Sequence, residues 1–222
     1  MCGRYTLFGP WAEIHKLYDL TNSVDRGRNV PARHNIAPTQ EVLFVAAPDG
    51  RHELKEGRWW LVPFWAKELN SKYPMFNARS EDAHAKPAFK HSYSSKRCLI
   101  PANGYYEWKK AEDGGKDPHF IHLPNAQPFS FAGLWARNET LDITSCTILT
   151  APAVSEISHL HGRMPIILKE DQHDAWLSPE VPVDEAISLL TENRDHELIS
   201  YRVGREVNSS SAKGEGLVTP LS

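Results

Sequence analysis

The sequence predicts an α+β protein with a curved antiparallel β-sheet or barrel and a few short helices. From Lys96 onward, short runs of branched and aromatic residues alternate with Gly, Pro, Asn and Asp, which is typical of antiparallel strands joined by turns. Elsewhere, apolar residues recur at helical spacing in short segments. A chain of 222 residues can enclose a sizeable core and no linker interrupts it, so we expect one domain over residues 1–222.

The first part of the chain predicts one helix and one β-hairpin. Pro10 precedes apolar residues at helical spacing, which indicates an amphipathic helix over residues 10–20. The polar stretch 21–32 is expected to be a loop, and Asn35-Ile36-Ala37-Pro38 is expected to be extended because proline disfavours helical backbone before it. The hairpin consists of predicted strands at 42–47 and 53–61, joined by Pro48-Asp49-Gly50.

An aromatic-rich segment follows, with four large rings between Arg58 and Trp65. Core packing is the usual explanation for such residues. Pro63, however, places Phe64 and Trp65 on a predicted loop, where a flat ring can also stack on a nucleic-acid base. Asn77-Ala78-Arg79-Ser80-Glu81 is expected to run from a loop into the first turn of a helix.

Glu107 is the unusual residue of the β-rich part. It lies between Tyr106 and Trp108 in one of the predicted strands. If its side chain points outward it is simply solvated; if it points inward, its burial is costly unless it has a partner or a chemical role. The predicted strands span 97–100, 105–108, 119–123, 129–136 and 143–150.

Two histidines, His159 and His161, lie close together in the segment from Ser158 to Pro165. A His-x-His pair without further ligands at suitable spacing is a weak metal signature, so we expect neither a metal nor a cofactor, and a histidine that transfers protons is better supported. Two helices are predicted near 170–177 and 183–192, and the tail 206–222 is expected to be loosely ordered because it has little apolar periodicity.

Composition restricts the class of protein. The formal net charge of −3 gives no overall attraction to nucleic acid, so binding to a polyanion would need a local basic cleft. No apolar run approaches the length of about 18 residues that spans a bilayer, and no signal peptide is visible, so we expect a monomer in the cytoplasm, or in the nucleus of a eukaryote. Three cysteines without paired spacing predict neither a disulfide framework nor a zinc site.

The N-terminus carries the most distinctive chemistry. Aminopeptidases generally remove Met1 when the second residue is as small as Cys2, which would leave an α-amine and a thiol on one carbon skeleton. The amine has a pKa of about 7.7–8.0 and the thiol a pKa of about 8.5, so both are partly deprotonated near neutral pH. Such an aminothiol condenses with an aldehyde to a thiazolidine ring. The alternative is a frayed terminus with an inert thiol.

Several separated motifs together resemble the SRAP family, the SOS response-associated peptidase or abasic-site processing proteins. The matching segments occur in the family's order over residues 1–165, and the ordered set is specific although each segment alone is not. They are Met1-Cys2-Gly3-Arg4-Tyr5, Asn35-Ile36-Ala37-Pro38, Trp59 to Trp65, Asn77-Ala78-Arg79-Ser80-Glu81, Gly104-Tyr105-Tyr106-Glu107-Trp108 and His161-Gly162-Arg163-Met164-Pro165.

The resemblance implies a pseudo-barrel of antiparallel sheets, a basic cleft for single-stranded DNA, and a covalent link between Cys2 and an abasic site that protects the lesion during replication. It agrees with the aminothiol chemistry, since the open sugar of an abasic site is an aldehyde. By the same resemblance Asn77 orients the adduct, Glu107 is the general acid and base, and His161 handles protons at the sugar. The implied DNA contacts are Arg4, Asn35, Phe64, Trp65, Arg79 and Arg163.

One segment departs from the family pattern, because Trp60 and Phe64 stand where the family commonly has glycine and a small residue. This affects the shape of the DNA wedge and not the nucleophile. Removal of Met1 by the protein itself or by a host aminopeptidase fits the sequence equally. Three alternatives remain open: a peptidase in which Cys2, exposed by autoproteolysis, acts with Glu107 and His161; an amidotransferase-type hydrolase with an N-terminal cysteine; and a reader of modified DNA that binds without bonding.

Overall fold

The computed structural model describes residues 2–20, 30–69, 72–124, 127–191 and 197–221. The strands are β1 Tyr5–Leu7, β2 Arg33–Ile36, β3 Glu41–Ala46, β4 Glu53–Trp59, β5 Asn77–Arg79, β6 Arg97–Ala102, β7 Gly104–Lys110, β8 Lys116–His122, β9 Phe129–Asn138, β10 Ile143–Pro152, β11 Arg163–Pro165, β12 Ile167–Leu168 and β13 Ile199–Arg202. The α-helices are α1 Trp11–Leu17, α2 Ser80–Ala83, α3 Lys90–Ser95, α4 Ser155–Ser158, α5 His173–Leu177 and α6 Val183–Leu189. This confirms the predicted α+β class.

The larger sheet closes into a barrel through β10. The order β10-β4-β3-β6-β9 returns to β10 because β9 and β10 also pair. One edge of β10 pairs with β4 and then β5, and the other edge pairs with β9 and then β11. The strand therefore positions β5 and β11 on its opposite edges. All residues from Ser145 to Thr150 are buried, so both faces of this part of β10 are covered.

A second sheet has the order β13-β8-β7-β1-β2. Its outer side covers a small cluster of apolar residues, Tyr106, Phe120, Val203, Val207 and Leu217. At the start of β7 a Cβ on Gly104 would lie 2.3 Å from the Phe120 ring, so only glycine fits there. The sheet thereby holds β1, which leads to the N-terminus, against β7, which carries Glu107.

The C-terminal tail corrects the prediction. Residues 206–222 were expected to be loosely ordered, but 3₁₀ helices form at Arg205–Asn208 and Glu215–Val218. Val207 and Leu217 are buried in the small cluster of the second sheet. The segment has no apolar periodicity because single apolar residues, rather than one face of a helix, make the contact.

Other boundaries differ modestly from the sequence prediction. The first helix ends at Leu17, the second hairpin strand ends at Trp59, and the helix predicted near 170–177 is a 3₁₀ turn, Glu170–Gln172, followed by α5. Residues 77–79 form a strand, and β13 was not predicted. Most of the loop predicted at 21–32 lies outside the described residues. None of the helices in the described ranges has the length and apolar character of a membrane span.

Candidate active site

Cys2 is brought to Glu107 by strand pairing. Tyr5 lies opposite Tyr105, and the Tyr106 amide donates to the Arg4 carbonyl at 3.0 Å. Following this antiparallel register back toward the N-terminus carries Cys2 alongside the Glu107 stretch of β7. The Cys2 side chain is fully buried, and its thiol lies 3.8 Å from the Arg4 carbonyl oxygen. Cys2 is therefore an ordered part of the structure and not a frayed terminus.

Asn77 joins the two sheets at this point. It lies on β5 opposite Ile148 of β10, and its Nδ2 donates to the Cys2 carbonyl at 2.8 Å. Its Oδ1 is buried and, within the part of the chain that the structure describes, accepts no hydrogen bond. An unused buried acceptor is costly, which makes it a candidate to bind a group that arrives with the substrate.

Burial controls the protonation of the two central groups. The pKa of the Cys2 thiol is raised far above its ordinary value, mainly by burial and also by the nearby Glu107 carboxylate. Glu107 is only 4% exposed, and burial raises the pKa of its carboxyl group, although the nearby His161 acts in the opposite direction. The thiol is therefore held neutral, and Glu107 keeps its proton to higher pH than a solvated glutamate.

His161 lies on the turn between α4 and β11. Its Nδ1 lies 3.0 Å from the Arg163 amide nitrogen and 3.2 Å from the Arg163 carbonyl oxygen, so either tautomer of the ring has a backbone partner at this nitrogen. His161 and Glu107 line one cleft of about 460 Å³ together with Trp108, Lys110, Gly114, Gly115 and Lys116. The structure thus brings together all four residues that the resemblance assigned to catalysis: Cys2, Asn77, Glu107 and His161.

The two arginines next to Asn77 are differently engaged. Arg163 donates to both Glu81 carboxylate oxygens, at 2.7 and 2.8 Å, and to Thr150. These bonds lower the pKa of Glu81 to about 2 and, counting partners among the described residues, leave the guanidinium one N–H group. Arg79 is exposed, and it shares a face of β5 with Asn77 because side chains alternate along a strand. Arg79 is therefore the more available cation.

Arg4 and Asn35 hold the C-terminal segment. Arg4 donates to Asn35 Oδ1 at 2.8 Å, the Val207 carbonyl at 2.7 Å and the Asn208 carbonyl at 3.3 Å. Asn35 uses its amide N–H groups on the carbonyls of Ser209 and Ala212, at 2.9 and 3.1 Å. Both amide hydrogens are thereby used, so we assign Asn35 to this support and not to the DNA contact that the resemblance implied.

Phe64 and Trp65 lie on the predicted loop and are 52% and 55% exposed. Asn138 fixes the loop by donating to the carbonyls of Pro63 and Ala66 at 2.8 and 2.9 Å. The Phe64 ring packs on His91 of α3 with 4.8 Å between ring centroids. Among the described residues, no hydrogen bond or ring contact joins Phe64 or Trp65 to the four residues assigned to catalysis.

The sequence reasoning missed part of the cleft. Trp108, Lys110 and Lys116 line it, and His119 lies directly opposite Glu107 across β7 and β8. The hairpin could have been recognised from Gly114-Gly115 between two alternating runs. Within the described ranges, no group of three or more His, Cys, Asp or Glu side chains is placed to hold a metal ion.

We expect Arg4→Gln to lower the free energy of unfolding by about 2 kcal/mol, because the carbonyls of Val207 and Asn208 lose a charged donor. Urea denaturation measures this effect. The matched control is Arg79→Gln, which removes an exposed cation and should change stability by less than about 0.5 kcal/mol. Equal stability of the two variants would show that Arg4 does not hold the C-terminal segment.

Comparison with known proteins shows which sequences and structures this chain is similar to. The family of SOS response-associated peptidases (SRAP) matches residues 1–210. The abasic site processing protein YoaM of Bacillus subtilis is 36% identical over 213 residues, covering 94% of this chain and 93% of that protein. The abasic site processing protein YedK of Escherichia coli is 27% identical over 233 residues and is covered completely, as is this chain. A solved structure from Bacteroides thetaiotaomicron shares the fold, with a TM-score of 0.84 at 22% identity over 100% of both chains.

Proposed function

Because the chain belongs to the SOS response-associated peptidase (SRAP) family, we propose that it cross-links itself, through Cys2, to abasic sites in single-stranded DNA. The observation that carries the proposal is the Asn77 hydrogen bond to the Cys2 carbonyl beside the buried carboxyl group of Glu107. The names of the relatives from B. subtilis and E. coli, abasic site processing proteins, support the same substrate. The bond formed would shield the lesion during DNA replication and repair.

The reaction requires removal of Met1, since a peptide nitrogen is not nucleophilic. The free Cys2 amine attacks the aldehyde carbon of the open abasic sugar and forms a carbinolamine. Glu107 donates a proton to its hydroxyl group, water leaves, and an iminium ion remains. The Cys2 thiol then adds to the iminium carbon and its proton returns to Glu107, so a thiazolidine forms and one water is released. The reverse sequence, again through Glu107, releases the protein.

The protonation states of the site suit this order of steps. A neutral, buried thiol leaves the amine as the first nucleophile, and the thiol becomes reactive once a cationic carbon is beside it. A carboxyl group with a raised pKa keeps a proton to higher pH than a solvated glutamate and can donate it, as water loss requires. Both effects have the same cause, which is burial at the junction of the two sheets.

Asn77 would position the Cys2 amine, and His161 would transfer protons at the sugar. Asn77 holds the Cys2 carbonyl, and its unused Oδ1 can accept a hydrogen bond from the amine, which fixes the nucleophile toward the aldehyde. His161 lines the same cleft as Glu107 and would protonate the sugar's ring oxygen to open it. A weak strand-cleaving (lyase) activity would follow from proton transfer by the same imidazole.

Arginine and aromatic side chains around the site would contact the DNA strand. Arg79, together with the N–H groups of Arg163 and Arg4 that the protein leaves unused, would contact phosphates beside the lesion. The exposed rings of Phe64 and Trp65 would stack on bases of the single strand. Binding is then expected to weaken with salt, because phosphate contacts release counterions.

The test is denaturing gel electrophoresis of the protein mixed with single-stranded oligonucleotides. A slowly migrating, denaturant-resistant band is expected with a natural abasic site and not with an intact base. A tetrahydrofuran analogue, which has the same gap but no aldehyde, should bind without forming the band. Equal complexes with the analogue and the natural site, all dissociating in denaturant, would favour non-covalent reading and refute cross-linking.

A further inference from the structure

Two lysines on the β7–β8 hairpin remain outside the reaction described above. Lys110 and Lys116 lie directly opposite each other in the strand register, and both are exposed. Both line the cleft that holds Glu107 and His161. Like charges directly opposite on paired strands destabilise a sheet, so this pair is stabilised when an anion lies beside both ammonium groups.

The two aspartates of the hairpin are bound to arginines and not to this pair. Asp113 accepts hydrogen bonds from Arg205 at 2.6 and 3.1 Å, and Asp117 accepts from Arg205 and Arg202, each at 2.8 Å. In the part of the chain that the structure describes, no hydrogen bond or ion pair engages the ammonium group of Lys110 or Lys116. Their charge is therefore left without a counter-ion among the described residues, and both lysines lie at the wall of the cleft.

The turn of the β7–β8 hairpin is held in place by ion pairs and leaves space beside its backbone. Arg205 bridges Asp113 and Asp117, which anchors the turn to the C-terminal segment. Gly114 has φ of +81°, and a Cβ built there would find no heavy atom within 4 Å. The backbone of the tip thus leaves space beside the two lysines, as a polymer strand passing along the cleft would need.

We propose that Lys110 and Lys116 form a phosphate-binding subsite that holds a phosphodiester of the lesion-containing strand next to the abasic sugar. The inference rests on the proposed function and extends it. A sugar placed at Glu107 and His161 has its own flanking phosphates at the walls of the same cleft, and one of these walls carries both lysines. Arg163, one of the arginines that the resemblance assigns to DNA contacts, is already bound to Glu81.

The variant that tests the subsite is Lys110→Gln combined with Lys116→Gln. We expect the DNA concentration needed for half-maximal cross-linking rate to rise on the order of tenfold, with the rate at saturating DNA unchanged. The slope of log affinity against log salt should fall by about 0.7 for each single-strand phosphate that the variant no longer neutralises. The matched control is Lys109→Gln, an equally exposed lysine that pairs with Asp117 in the register and does not line the cleft.

A second experiment identifies which phosphate of the DNA strand the two lysines bind. Single neutral methylphosphonate linkages are placed in turn on either side of the abasic site. One linkage should reproduce the weaker binding in the wild-type protein and have no further effect in the double variant. Effects that add fully at every linkage, or a double variant no weaker than Lys109→Gln, would overturn the inference.

The two proposals fail in distinguishable ways. If the wild-type protein forms no cross-link, the proposed function fails, whereas equilibrium binding of the tetrahydrofuran oligonucleotide still measures the contribution of the lysines. If the wild-type protein does form the cross-link and the double variant keeps the wild-type salt slope, the subsite alone is refuted.

Discussion

Replacing Cys2 by alanine is expected to abolish the denaturant-resistant complex with abasic DNA. The amine of the variant can still form a Schiff base, but without the thiol this imine cannot close to a thiazolidine and hydrolyses in water. Denaturing electrophoresis measures the loss. Non-covalent binding of the tetrahydrofuran oligonucleotide should remain, because the phosphate contacts do not involve the thiol.

The chain offers matched controls in its two other buried cysteines, Cys98 and Cys146. Alanine at either position removes a thiol from the barrel without touching the N-terminus, so cross-linking by the folded variants should stay at the wild-type level. Wild-type yield in Cys2→Ala, or an equal loss in all three variants, would contradict the role assigned to Cys2.

Glu107→Gln is expected to slow both formation and reversal of the cross-link by about 100-fold or more, which is typical of the loss of a general acid and base. Glutamine preserves the shape of the side chain but cannot transfer the proton. Time courses of cross-linking, and of exchange onto a second abasic oligonucleotide, measure the two directions. Unchanged rates in both would remove Glu107 from the mechanism.

The pH profile distinguishes this role from a structural one. Burial raises the pKa of Glu107, so its acid form is lost as pH rises through that value, and the wild-type rate should fall there. The descending limb should be absent in Glu107→Gln.

Burial of Glu107 also makes folding stability depend on pH. Because the pKa of its carboxyl group is higher in the folded than in the unfolded protein, the group favours the folded state at low pH and loses that contribution as pH rises. The variant should therefore be more stable than wild type at neutral pH, and this difference should vanish at acidic pH.

The positions of the strands could be read from local pattern, whereas the arrangement of the site could not. The hairpin β3–β4 and the runs of β6, β9 and β10 have alternating or continuous apolar sequence between turn residues, and pattern alone predicts them. The orientation of Glu107 was left open because its neighbours Tyr105 and Tyr106 are both buried, one in each apolar cluster. With both faces of β7 covered, alternation carries no information.

Contacts between residues far apart in sequence explain the remaining differences between the prediction and the structure. Arg4 contacts Val207 and Asn208 about as far away in sequence as the chain permits, and no local pattern reports such a contact. The ion pair of Arg163 with Glu81 likewise depends on β5 and β11 pairing with opposite edges of β10. Sequence motifs therefore name candidate side chains for the chemistry, whereas the structure separates the arginines that are bound to protein groups, Arg4 and Arg163, from the exposed Arg79.

The most direct test of the account is the intact mass of the cross-linked complex, followed by fragment mapping, without any borohydride reduction. The account predicts the mass of the protein lacking Met1 plus that of the oligonucleotide minus one water, with the modification on Cys2. A thiazolidine survives denaturation and proteolysis for mass analysis, whereas a lysine Schiff base that has not been reduced hydrolyses. An adduct that retains Met1, or one that maps to any residue other than Cys2, would contradict the mechanism proposed here.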